Sequence, residues 1–369
     1  MENVVEVGML NSEFWKGKKV FLTGHTGFKG GWTVLWLKKL GAVVKGYALA
    51  PNTEPSLFEI SKIADGIESH IGDVRDLDTL GQSMSDFDPE IVIHMAAQPL
   101  VLASYTNPVE TYQTNVMGTV NLFEAVRTCE SVKAVINVTS DKCYRNNEWV
   151  WGYRENEPMG GYDPYSSSKG CSELVTSAYR QSFFLDRTSV SIGSARAGNV
   201  IGGGDWSCDR LIPDTLRAFN LGEPVIIRNP LATRPWQHVL EPISGYLTLA
   251  QKLYFSDCDY AEGWNFGPND EGNKSVGEVL DYLVAQWPSD VSWLPDKRAQ
   301  PHEAQLLKLD ISKAQKRLKW SPSWDLNKAL DTIIKWHFAW VNGEDMRVVT
   351  LNQIRDFEKS SRKLLKPEI

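Results

Sequence analysis

"LTGHTGFKG", residues 22–30, is the stretch whose reading decides the fold. Gly24, Gly27 and Gly30 stand three apart, directly behind the apolar run Val20-Phe21-Leu22. Three glycines so spaced carry little information alone; their setting carries more. KKVFL (18–22) has the composition of a short buried strand. FKGGWTVLWLKKL (28–40) puts Trp32, Leu35, Trp36 and Leu40 at helical spacing before Gly41 stops the helix. Strand, glycine turn and helix in that order make a phosphate-binding unit. Gly24 allows the tight turn, Gly27 lets the backbone approach a pyrophosphate, and Gly30 lets the helix pack on the sheet. The helix start then offers unpaired N–H groups and the positive end of its dipole.

The alternation continues outward. AVVKGYAL (42–49), HIGD (70–73), PEIVIHMAA (89–97), KAVINVTS (133–140) and SVSIGSARAGNV (189–200) read as strands. Helical segments at 76–85, 108–128 and 165–185 fall between them. This pattern predicts an α/β fold with a doubly wound parallel sheet of the Rossmann type. Beyond about residue 200 it breaks into segments rich in Gly, Pro and charge, GGGDWSCDRLIPD (202–214) and RNPLATRPWQHV (228–239). The expected organisation is a dinucleotide-binding domain over 1–200 and a smaller C-terminal substrate-binding lobe over 201–369, with chain crossings between the lobes allowed. The lobe would sit at the carboxyl ends of the strands, where open α/β sheets bind ligands.

Composition narrows the classes. The chain has 369 residues and a net charge of −7, which gives broad nucleic-acid binding no electrostatic support. Cys129, Cys143, Cys171, Cys208 and Cys258 show neither metal-like spacing nor even pairing and read as reduced thiols, so no metal is expected. No apolar run approaches the roughly 20 residues of a membrane span, and the N-terminal stretch lacks the pattern of a signal peptide. A cytoplasmic protein with no membrane partner is the expectation. The 14 tryptophans are expected mostly in core and interface packing.

The acidic residue that commonly grips the adenosine ribose after the second strand is missing; Tyr47-Ala48-Leu49-Ala50 stand there. No arginine replaces it, which favours NAD over NADP. Asp73 either bonds the adenine amino group or caps a helix.

TGxxGxxG at 23–30, HMAAQ at 94–98 and YSSSK at 165–169 resemble the extended short-chain dehydrogenase/reductases over roughly residues 15–330. GHTGFKGGW, VTSDKCY, GGGDW and RPWQHVLEP narrow the resemblance to the members that dehydrate the nucleotide-sugar CDP-glucose. The resemblance implies bound NAD, held by Gly24, His25, Thr26, Gly27, Phe28, Gly30, Asp73, Val74, Ala96, Ala97, Gln98 and Asn115, with Tyr165 and Lys169. His25 belongs to the narrower pattern. It is expected beside the diphosphate, where its bulk would cost cofactor affinity, so that His25→Gly would tighten NAD binding.

Tyr165 and Lys169 are four apart on a helix and share a face. Bringing a tyrosine from about 10 to near 7 takes about 4 kcal/mol. One ammonium about 4 Å away, at an effective dielectric of ~20, supplies roughly that. Tyr165 is therefore expected to act as base, supported by Lys169 and by the positive nicotinamide ring. Ser140, 25 residues earlier at a strand end, would bond the substrate hydroxyl and share in proton relay. Related dTDP-glucose dehydratases carry Asp-Glu after this serine; here Asp141-Lys142 follow. Asp141 is expected as the acid for the departing C-6 hydroxyl and Lys142 as the C-5 base.

For the nucleotide-sugar the resemblance implies Asn199, Arg210, Arg234 and His238, with Arg298 and Glu303 closing over it. It also implies a homodimer through the helices at 108–128 and 165–185, and supply of 3,6-dideoxyhexoses for surface polysaccharide. Another sugar-nucleotide dehydratase or a 4-epimerase is the enzymatic rival. A non-catalytic NAD-binding sensor is the rival from another class, and intact Ser140, Tyr165 and Lys169 argue against it.

Overall fold

The computed structural model describes residues 10–185, 190–255, 259–296 and 306–364. Its centre is a parallel sheet of seven strands: β1 (Lys19–Thr23), β2 (Val43–Ala48), β3 (Glu68–Ile71), β4 (Ile91–His94), β5 (Ala134–Val138), β6 (Ser191–Arg196) and β7 (Gly263–Asn265). Their spatial order is β7-β6-β5-β4-β1-β2-β3. The order in which strands are added reverses between β1 and β4, which pair in parallel, and the loops leaving those two strands part there to open a crevice.

Alternation along the strands divides the core. Val20, Leu22, Ile91, Ile93 and Ile136 meet α1 (Phe28–Lys39) and α5 (Leu240–Phe255) on one face. Phe21, Val92, Val135 and Ile192 meet α2 (Leu77–Phe87) and α3 (Gly118–Arg127) on the other. A third cluster, including Ile212, Leu216, Phe219, Trp236, Leu280, Leu283 and Ile333, forms the core of the smaller lobe. Trp15, Trp32, Trp36, Trp264 and Trp336 are fully buried, so much of the tryptophan content is packing.

Three departures from the sequence reading have local causes. The strand read as 89–97 ends at His94, because Thr23 Oγ1 accepts from the N–H groups of both Met95 and Ala96 at 3.1 Å. The long helix at 108–128 is a helix over Pro108–Tyr112, a wide π turn over Gln113–Met117, and then α3. Asn115, buried in that wide turn, accepts from the Gln98 N–H (2.8 Å) and donates to its carbonyl (3.0 Å). Finally, β7 pairs with β6, so the chain crosses into the smaller lobe and returns to the sheet before leaving again.

α4 (Pro164–Tyr179) carries Tyr165 and Lys169. Asp163 caps it by accepting from the Ser166 N–H at 2.9 Å, and Pro164 occupies the first turn, where its missing N–H costs nothing. One turn beyond Lys169, Glu173 is buried and fastens α4 to two strands. Its carboxylate accepts from Arg196 Nε (2.9 Å) and Nη2 (2.8 Å), from Ser194 Oγ (2.6 Å) and from Thr139 Oγ1. Burial raises its pKa, but the Arg196 charge and these bonds outweigh that and hold it below the usual range. Removing one partner of such a pair leaves a buried charge uncompensated. Glu173→Ala should therefore cost about 3–5 kcal/mol, read as a lowered urea midpoint; a midpoint within error of the parent would contradict this.

Candidate active site

The carboxyl ends of the strands open into a cavity of about 660 Å³ that reaches from the glycine turn to the smaller lobe. At one end lie Gly24, Thr26, Gly27, Phe28 and Gly30. Gly24 has φ +80°, and a Cβ there would stand 2.8 Å from the Ala96 backbone nitrogen, so the turn admits no larger residue. Gly27 is the N-cap of α1 and supplies no side chain to the first-turn N–H groups. A helix start of this kind, open to a cavity, fits the pyrophosphate of a dinucleotide.

Further along the wall stand Ala48, Leu49, Ala50 and Asn52, then Asp73, Val74, Ala96 and Ala97. No acid follows β2; Asn52, which sequence reading did not single out, is the polar side chain nearest that place in the chain. The Asp73 carboxylate takes Arg75 Nη2 at 2.6 Å, which holds its pKa below the ordinary value. The helix cap belongs instead to Asp76, which accepts from the Thr79 N–H at 3.1 Å.

Ser140, Asp141, Lys142, Tyr165 and Lys169 gather on the cavity floor. The Tyr165 N–H donates to Ser104 Oγ (3.1 Å), and its carbonyl accepts from Ser168 Oγ (2.7 Å). Ser140 Oγ donates to Asp141 Oδ1 at 3.0 Å, and the second carboxylate oxygen is buried with no partner among the described residues. Burial raises the Asp141 pKa, against the nearby Lys142 and Arg234 charges, which suits a carboxyl that must deliver a proton. Lys142 is half-buried and faces the cavity.

The electrostatics correct one expectation. Lys169 alone does not bring Tyr165 to neutrality. Burial pushes the phenol up to about 12, with the Ser140 hydroxyl and the Arg210 charge working against it. Burial also brings Lys169 down to about 8, opposed by Glu173. Burial thus favours the protonated phenol.

Four other residues, His25, His238, Gln98 and Asn115, do not line the cavity as the sequence reading expected. The His25 ring turns into the core, where Nε2 meets Ser69 Oγ at 2.7 Å and the ring edge packs on Phe58 and over Gly46. Gly46 has no side chain, and that vacancy is what admits the imidazole; burial lowers its pKa to about 4. His238 likewise packs edge-on between Trp32 and Trp324, with Nδ1 accepting from the Leu240 N–H, and does not line this cavity. Gln98 and Asn115 stand behind the wall, bonded to one another. Among the residues assigned to the nucleotide-sugar, Asn199, Arg210 and Arg234 line the cavity. Arg210 pairs with Asp205 at 3.0 Å. Arg298 and Glu303 lie outside the described residues. Among the described residues no cluster of His, Cys, Asp or Glu is placed to hold a metal, and no helix is long and apolar enough to cross a membrane.

Sequence reading passed over Lys29, although it stands inside the opening motif. It lines the cavity, and its Nζ donates to Tyr246 Oη at 3.3 Å. The signal was its position, a cation in the first turn between the second and third glycines.

A family model described as GDP-mannose 4,6 dehydratase matches residues 21–333. The chain is 59% identical to a CDP-glucose 4,6-dehydratase of Salmonella typhimurium, over 95% of this chain and 98% of that protein. It is 25% identical to a dTDP-glucose 4,6-dehydratase of Xanthomonas campestris, over 87% of this chain and 94% of that one. A solved dTDP-glucose 4,6-dehydratase of Bacillus anthracis in complex with NAD shares the fold at a TM-score of 0.72 and 19% identity, covering 89% of this chain and 98% of that chain.

Gly198 explains how Asp141 fits. A Cβ at that position would overlap the Asp141 carboxylate. Gly198→Ala should displace the carboxyl and destabilise the protein by about 1–3 kcal/mol, measured by urea denaturation. An unchanged midpoint would mean that Asp141 has room to turn away.

Proposed function

The chain belongs to the GDP-mannose 4,6-dehydratase family, and from that premise we propose that it converts CDP-glucose to CDP-4-keto-6-deoxyglucose and water with bound NAD. The observation that carries this reading is the placement of an acid and an amine, Asp141 and Lys142, beside the tyrosine–lysine pair in one cavity. Exchange of configuration at C-4 needs no such second pair; removal of water across C-5 and C-6 does.

NAD, when bound, accepts the C-4 hydride and returns it at C-6. Gly24, Gly27 and the start of α1 would hold its pyrophosphate, and a positive charge brought near Tyr165 would favour the phenolate. Tyr165 takes the C-4 hydroxyl proton. Ser140, which acts on the phenol and donates to Asp141 Oδ1, links the two groups. The proton taken at C-4 thus has a short route to the carboxyl that protonates the leaving C-6 hydroxyl. Lys142 removes the C-5 proton, made acidic by the 4-ketone, and gives it back when C-6 is reduced. The balance is loss of one water. Arg210 and Arg234 suit the nucleotide diphosphate.

The same reading makes the protein a cytoplasmic homodimer that supplies 3,6-dideoxyhexoses for lipopolysaccharide. Val109, Tyr112 and Met117 in the 108–127 segment, together with Leu174 and Phe183 along α4 and its extension, are exposed apolar side chains. A face of that kind supports pairing across a two-fold axis. Sedimentation at micromolar concentration should give twice the chain mass; a monomer would refute the pairing.

Incubation with CDP-glucose should yield a product with the alkaline absorbance of a 4-keto-6-deoxy sugar, and UDP- and dTDP-glucose should yield far less. A product of unchanged elemental formula would make the protein an epimerase. Lys142→Met should retain hydride abstraction but lose at least about 100-fold in elimination; normal product release would remove Lys142 from the base role.

A further inference from the structure

Lys29 is the one charged side chain that the segment from Gly24 to Gly30 contributes to the cavity lining. It is half-buried. Its Nζ reaches Tyr246 Oη at 3.3 Å and lies 5.6 Å from the centre of that ring. Among the described residues no carboxylate stands within ion-pair distance of it. The groups acting on its charge come from every side of the cavity: Lys169 from α4, Arg210 from the smaller lobe and Asp141 from the end of β5. Tyr246, its hydroxyl partner on α5, is in turn under the influence of Tyr165 and Asp141. Lys29 therefore belongs to the charge cluster around the reacting groups, yet the proposed proton route does not use it.

We propose that Lys29, steadied by Tyr246, is a positioning charge that biases the bound dinucleotide toward its reduced form. The inference rests on the cofactor reading above. An oxidised nicotinamide carries a positive charge and the reduced ring carries none. The ring must approach the carbon whose hydroxyl Tyr165 holds, so it shares the cluster with Lys29. An ammonium there repels the oxidised form and leaves the reduced form untouched, which favours the first hydride abstraction. Burial and the neighbouring Lys169 and Arg210 charges bring the Lys29 pKa to about 7, with Asp141 opposing. The bias is then present when the amine is protonated and fades as pH rises through neutrality.

The test is equilibrium titration of the full chain with NAD+ and, separately, NADH at about pH 6 and about pH 8.5, on either side of the Lys29 transition. In the parent the preference for NADH over NAD+ should be about tenfold greater at the lower pH. Lys29→Met should show a smaller preference at both values, with only the weaker pH change that Lys169, itself brought to about 8, contributes. Lys29→Arg, charged throughout, should keep a large preference at both values, and this holds even if the methionine variant does not fold. A preference that stays large and pH-dependent in Lys29→Met would overturn the proposal. So would an equal loss of affinity for both forms, which would make Lys29 a phosphate anchor. Binding of neither form by the parent would overturn the cofactor reading itself, and this inference with it.

Discussion

The buried contact between Glu173 and Arg196 is the constraint on which the site depends. Two charges out of water are tolerable only when each is met by its partner and by hydrogen bonds. Here the carboxylate also receives Thr139 and Ser194, and Arg196 Nη1 donates to Tyr144 Oη at 2.7 Å. These groups come from the end of β5, from β6 and from the loop that follows Asp141. The geometry of one ion pair therefore fixes the helix carrying Tyr165 and Lys169 against the strand end carrying Ser140 and Asp141. A helix displaced along its axis by one residue would break four bonds at once. A second polar row reinforces the alignment: Thr23, His94 and Asn137 lie side by side across the sheet, and Asn137 donates to Ser172 and Thr176 of the same helix.

Above that frame the cavity lining carries charges of both signs. Lys29, Lys142, Lys169, Arg210, Arg228 and Arg234 line it, and so do Asp73, Asp141, Asp205, Asp209 and Asp214. Burial strengthens the interactions of those that are out of water. A neutral phenol and a raised carboxyl pKa are what burial imposes on such a place. Arg210 is met there by Asp205 at 3.0 Å.

Much of this was legible in the sequence because it rests on local chemistry. Glycines that must turn sharply, strands buried on both faces and a tyrosine four residues before a lysine each announce themselves by spacing. The six strands read from the sequence all belong to the central sheet. What escaped was long-range. Three residues, Gly263–Asn265, are too few to show a period, and only their pairing with β6 makes them a strand. His25 and His238 lay inside informative motifs, but their side chains answer to vacancies elsewhere in the chain, over Gly46 and between two tryptophans. Lys29 was in plain view, yet its meaning depends on Tyr246, more than two hundred residues away. The Tyr165 proton affinity also could not be read from spacing, because it depends on how much water the finished cavity excludes.

The return of the chain to β7 has a mechanical consequence. The segment between β6 and β7, which carries Asn199, Arg210 and Arg234, is sewn to the same rigid sheet at both of its ends. Trp32 of α1 adds a stitch by donating its indole N–H to the Gly203 carbonyl at 2.9 Å. A lobe fastened in this way cannot swing open about a single hinge. Arg210 and Arg234 are thus held at one spacing from the strand end that carries Ser140 and Asp141, and the cavity between them keeps a fixed span.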